Sequence, residues 1–137
     1  MSGMADDAYA FAVPFHPSSV GRARSQLRDW LQPTGAASSL VEDAALVLSE
    51  LVTNSLQHAR PTDTNDVGIE IQFDHANLHV AVTDGGSDDI PRPLSTPLDA
   101  AGGRGLTIVG SVAEQWWWEA VDNGQTVHAL LRPPTAP

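Results

Sequence analysis

The chain has 137 residues, which fits one domain of ordinary size, and its 42% apolar composition can fill a core without covalent staples. It holds no cysteine and no lysine, since all seven basic residues are arginine, so disulfides, thiolate nucleophiles, cysteine zinc sites, a P-loop and a Schiff base are all excluded. A formal charge of −10, no apolar run of membrane length and no charged-then-apolar leader predict a cytoplasmic, soluble protein that binds neither nucleic acid nor membrane directly.

Residues 1–8 are small and acidic and read as a tail. Tyr9, Phe11, Val13 and Phe15 then alternate as in a strand, made an edge or a strand end by Pro14. Ser18 and Ser19 can cap a helix that runs to about Leu31 and stops at Pro33 and Gly35. Ser39-Leu-Val-Glu42 has capping-box spacing, and Val41, Ala44, Ala45, Leu48, Leu51, Val52 and Ala59 follow at helical intervals, predicting a helix from about Leu40 to Ala59.

After Pro61, the alternations Val67, Ile69, Ile71, Phe73 and Leu78, Val80, Val82 predict a hairpin turning at Asp74 to Asn77. Asp84 to Arg104 is rich in Gly, Pro, Ser and Asp without periodicity, a length that in compact domains marks a functional loop, here a lid candidate. Leu106 to Ala113 has a short helical pattern. Gln115 to Val121 and Thr126 to Arg132 flank Asn123-Gly124, a type I′ hairpin signal, and 133–137 is a second tail. One domain over 9–132 in the order β-α-α-β-β-α-β-β predicts an α+β two-layer sandwich, with three helices on one face of a mixed, mostly antiparallel sheet.

Three groups of residues could carry chemistry. Glu50 and Asn54 are four apart on the second helix, so both leave one face, pairing a possible base with a hard oxygen ligand suited to Mg²⁺. The alternative is a solvated helix face. Asp84-Gly85-Gly86 ends an apolar strand with an acceptor for an exocyclic amine and two residues that let a flat ring approach the backbone. An ordinary Asp-Gly turn is the alternative there. Gly102-Gly103-Arg104-Gly105 precedes the third helix, where free amides, the helix end and one guanidinium could face phosphate, or the glycines could be a linker. His58 reads as a packed or capping histidine. Trp116, Trp117 and Trp118 cannot all face one side of a strand, so one or more leaves the side its neighbours cover, and exposure there would mark a partner surface.

Taken in order, Glu50-Leu-Val-Thr-Asn54, Asp84-Gly-Gly86 and Gly103-Arg-Gly105-Leu106 resemble the N, G1 and G2 boxes of the GHKL (Bergerat-fold) ATPases. The resemblance covers about Phe11 to Leu131. With Leu-Ser-Glu-Leu-Val-Thr-Asn and a following His58-Ala59, it is most similar to the anti-sigma factor serine kinases of the SpoIIAB and RsbW type. It implies that Asn54 binds Mg²⁺, that Glu50 is the general base and that Asp84 binds the adenine of ATP. It further implies that Gly86, Gly103, Arg104, Gly105 and Leu106 shape the nucleotide pocket, and that Thr126 places a hydroxyl near the nucleotide. The implied function is to sequester a sigma factor and to phosphorylate a STAS-domain anti-anti-sigma factor on serine, as a homodimer. Where the G1 box usually has a second spaced glycine, this chain has Ser87-Asp88, followed by Asp89. That departure keeps open a GHKL-fold module that sequesters a partner without transferring phosphate. A sensor histidine kinase fragment is a third possibility, weakened because no helical phosphoacceptor segment precedes the domain.

Overall fold

Alternation decides the first strand. In β1 (Asp7–Pro14) Tyr9, Phe11 and Val13 turn toward the core while Ala8, Ala10 and Ala12 turn away, as period-two side chains must. The computed structural model describes residues 7–74, 77–87 and 109–133. Helix α1 (Ser19–Leu31) buries Ser19, Ala23, Leu27 and Leu31, a stripe four residues apart. The predicted serine cap is not formed. Ser18 shares a hydrogen bond with His16 Nδ1 at 2.9 Å, and Ser19 donates back to the Pro14 carbonyl at 2.6 Å, so the two hydroxyls fix the strand-to-helix corner instead. A short 3-10 turn (Gln32–Thr34) and Gly35, at φ 83°, end the segment where Pro33 and Gly35 predicted a stop.

Helix α2 (Ser38–His58) begins earlier than the capping box predicts, with Ala37 at its cap and no side-chain cap bond. Ser39 is therefore inside the first turn and cannot act as the cap. Glu42 turns to α1 and pairs with Arg28 at 2.9 Å, an exposed bridge between the two helices. Strands β2 (Asp66–Phe73) and β3 (Leu78–Asp84) form the expected hairpin, closed by Asp74 N–H on the Asn77 carbonyl and Asn77 N–H on Asp74 Oδ1. Residues 109–112 are helical, with Val109 buried, and β4 (Gln115–Val121) and β5 (Gly124–Leu131) follow.

The sheet order is β1-β2-β3-β5-β4, and every pairing is antiparallel. The helices cover one face, where Leu27, Leu48 and Leu51 meet Ile71, Val80 and Leu131, all 1% exposed or less except Leu131 at 2%. This is the α+β two-layer sandwich. The turn between β4 and β5 departs from expectation. Asp122 and Asn123 form it, and only Asn123 has positive φ (63°), whereas type I′ needs it at both central positions. Gly124 is required for another reason: a Cβ there would collide with the Asp84 carbonyl on the neighbouring strand.

On the uncovered face Trp117 stacks on His128 (centroids 5.0 Å) and His128 on His79 (5.1 Å), while Trp116 and Trp118 pack against the core side. Glu119 lies 2.7 Å from His128 Nε2, and a carboxylate can only accept, so His128 carries its proton there. Its Nδ1 is then the lone pair that accepts His79 Nε2–H at 2.9 Å. Burial first, and second the repulsion that a proton added to the stacked His128 would exert, hold His79 below the ordinary histidine range, against an opposing pull from Glu70. The unfolded chain therefore takes up this proton at higher pH than the folded one. Stability from this group is full above about pH 6.5 and is lost as pH falls below it. Urea denaturation at about pH 7.5 and about pH 5.5 should show a smaller acid loss in His79→Gln than in the natural chain. An equal loss would acquit His79.

Candidate functional site

The apolar stripe of α2 that predicts the helix also sets the site. Val41, Ala44, Leu48, Leu51 and Val52 are buried along it, and Ser55 continues the stripe at 2% exposure as its last member. Glu50 and Asn54 stand beside this stripe, each half-buried and four residues apart, hence neighbours on one helix surface. Burial pushes the Glu50 carboxyl above the ordinary glutamate range, which makes its ionised form a stronger proton acceptor near neutral pH. Among the described residues no group of three or more His, Asp or Glu converges as a metal site. Beside Glu50, Asn54 brings a neutral amide oxygen to the same helix surface, a donor type that a hard cation can accept.

Asp84 ends β3 and is 2% exposed. Its Oδ2 accepts from Ser55 Oγ at 2.5 Å, its Oδ1 from the Gly86 N–H at 2.8 Å, and the Gln125 side chain donates to the same carboxylate. Burial pushes the carboxyl above the ordinary aspartate range, and these hydrogen bonds, Ser55 foremost, with the Arg60 charge, pull against it. One acid thereby ties together α2, β3 and β5.

The segment after α2 crosses this corner. Arg60 N–H donates to the Gly86 carbonyl at 2.9 Å and Gly85 N–H to the Arg60 carbonyl at 2.6 Å, a two-bond backbone bridge. It corrects the reading of Gly85 as a gap for a flat ligand. A Cβ on Gly85 would strike the Pro61 carbonyl, so the missing side chain is filled by the protein's own backbone. Gly86 is held at φ 86°, a left-handed conformation natural to glycine, with its N–H turned back to Asp84.

The expectation for Thr126 is also corrected. Asp84 lies directly opposite Gln125 and Thr83 opposite Thr126, and directly opposed residues share a sheet face. The Thr126 hydroxyl therefore lies on the uncovered face, 2.7 Å from that of Thr83, while Gln125 reaches the carboxylate. Ser55 and Gln125 were both missed from sequence. A hydroxyl in an apolar stripe was the available sign of the first, one that Ser49 on the same helix shares, and strand register, invisible in one sequence, decides the second. His58 stands exposed in the last turn of α2, which departs from the packed alternative. Gly103, Arg104, Gly105 and Leu106, the Asp88-Asp89 pair and nearly all of the lid candidate lie outside the described residues. Among the described residues no helix is long and apolar enough to cross a membrane.

A family model described as a histidine kinase-like ATPase domain matches residues 13–130. No curated protein matches the sequence. Among solved structures, the chain is similar to one of the RsbU and RsbW domains of Rv1364c from Mycobacterium tuberculosis, at TM-score 0.71 and 20% identity. That match covers 93% of this chain but only 32% of the other, so this chain spans about a third of that solved chain's length. It is also similar to a chain of the SiaB-SiaC complex from Pseudomonas aeruginosa, at TM-score 0.64 and 16% identity, with 90% and 88% of the two chains covered. At these identities the likeness is one of fold.

Proposed function

The chain belongs to the histidine kinase-like ATPase domain family, and on that premise we propose that it is an ATP-binding anti-sigma factor and serine-protein kinase acting on a STAS-domain partner. The observation that carries this reading is the corner just described: Glu50 and Asn54 on one surface of α2, with Asp84 joined to the same helix through Ser55. In this reading Asp84 accepts a hydrogen bond from the adenine amine, and Asn54 helps hold Mg²⁺, which when bound would neutralise charge on the phosphates. Gly86, Gly103, Arg104, Gly105 and Leu106 border the nucleotide.

Glu50 takes the proton of the partner's serine hydroxyl as its oxygen forms a bond to the γ-phosphorus. The bond from that phosphorus to the β–γ bridging oxygen breaks, and ADP carries the bridging oxygen away. Chemistry of this kind depends on positioning more than on covalent help from the protein. A sigma factor is the second proposed partner, the active form a homodimer and the compartment the cytoplasm. The solved SiaB-SiaC complex, in which a chain of this fold meets a second protein, supports action through protein contacts.

A second reading, sequestration without phosphate transfer, is favoured by Ser87-Asp88 in place of the family's usual spaced glycine. Calorimetry tests the first step. ATP with Mg²⁺ should bind in preference to GTP, and Asp84→Asn should abolish that preference because an amide presents a donor as readily as an acceptor. Equal binding of the two nucleotides would overturn the adenine assignment. Phosphoserine on the STAS partner separates the kinase from the passive module.

A further inference from the structure

Two buried polar side chains at this corner have no part in the proposed chemistry. Ser55 is 2% exposed and Gln125 7% exposed, and a buried hydroxyl or amide is costly unless its hydrogen bonds are made. Both direct a donor to one acceptor, the Asp84 carboxylate, from two different elements. With the Gly86 N–H on Oδ1, three donors converge on it. An ionised carboxylate offers about four lone-pair sites and no donor of its own. Three are taken, and the site left over can only accept.

We propose that Ser55 and Gln125 are positioning residues that hold Asp84 as a fixed, acceptor-only group and thereby set the preference for a 6-aminopurine nucleotide over a 6-oxopurine one. The proposal rests on the reading of Asp84 as the adenine contact. The physical reason lies in the donors. Three N–H and O–H donors favour the ionised carboxylate and so oppose the effect of burial, and the free position of an ionised carboxylate is a lone pair that accepts an amine and repels a carbonyl. With a donor removed, the carboxylate can rotate or take up a proton, and an O–H would then satisfy the 6-oxo group as well. Discrimination of this type is strong because the mismatched base leaves a buried polar group unpaired.

The rival account is a clamp: the trio ties α2 to β3 and β5, and losing a member weakens the fold without changing which base is chosen. Calorimetric titration of the full chain with Mg²⁺-ATP and Mg²⁺-GTP, beside thermal melts, separates the two. Ser55→Ala and Gln125→Leu should each reduce the ATP-over-GTP affinity ratio by about tenfold or more, the loss of roughly one well-made hydrogen bond. Ser55→Thr, which keeps the hydroxyl, should restore the ratio. Lowered melting temperatures with an unchanged ratio in both variants, while Asp84→Asn loses the preference, would overturn the proposal alone. Preference retained in Asp84→Asn would overturn the adenine reading beneath it and the proposal with it.

Discussion

Glu50→Gln should bind Mg²⁺-ATP about as well as the natural chain and transfer phosphate about 10²- to 10⁴-fold more slowly, the range for a lost general base. The substitution keeps size and hydrogen-bonding reach but removes the proton acceptor. Because burial raises the Glu50 carboxyl above its ordinary value of 4.5, the active, ionised form is lost as pH falls through that raised value. The acid limb of the pH–rate profile should accordingly lie above the ordinary glutamate range and disappear in the variant. Single-turnover transfer to a serine-bearing STAS partner measures both quantities. A Glu50→Gln protein with an unchanged rate would remove the residue from the mechanism and strengthen the sequestration reading.

The largest stability effect is expected at Gly85. Its φ lies outside the left-handed region, so alanine is permitted there by the backbone and the effect is steric alone. The new methyl would meet the Pro61 carbonyl, with the Pro61 carbonyl carbon at 2.9 Å and the Arg60 carbonyl oxygen at 3.0 Å, none of them the end of a flexible side chain. The segment after α2 must move off the end of β3, breaking both bonds of the Arg60 bridge. Gly85→Ala should thus cost more than the roughly 1–3 kcal/mol usual for overpacking, and ATP affinity should fall because the Gly86 N–H is displaced from Asp84. Gly35→Ala is the control. Gly35 has φ 83° with open space around it, so alanine there meets only the left-handed penalty of about 1–2 kcal/mol. Urea denaturation of the two variants with ATP titration checks this, and equal destabilisation with equal affinity would refute the steric argument.

Local pattern accounts for what was legible in the sequence. Period-two alternation located β1, β2 and β3, and the helical stripe from Val41 to Val52 located α2 and with it Glu50 and Asn54. Asp84 was singled out because an acid followed by two glycines at a strand end offers specific chemistry. Apart from the earlier start of α2, the misses share one cause, that the deciding contact comes from elsewhere in the chain. Ser39 loses its cap role because α2 starts at Ser38, and Glu42 answers to Arg28 on another helix. Gly124 suggested a turn and instead makes room for Asp84. Thr126 and Gln125 differ by one position, which in a strand is the difference between two faces of the sheet, and only the pairing with β3 assigns them.

The stacked face gives the protein an optical consequence. Of its four tryptophans, Trp30 packs beside Tyr9, Trp116 and Trp118 lie against the core, and Trp117 alone stands on the uncovered face, 40% exposed and in ring contact with His128. A water-borne quencher reaches that indole more readily than the three partly buried ones, and its emission senses the imidazole beneath it. The quenchable fraction of the fluorescence therefore watches the side of the sheet opposite Asp84. A change in the Trp117 share of that fraction when nucleotide is added would report across the β3–β5 ladder, where Asp84 faces one way and His79 and His128 the other.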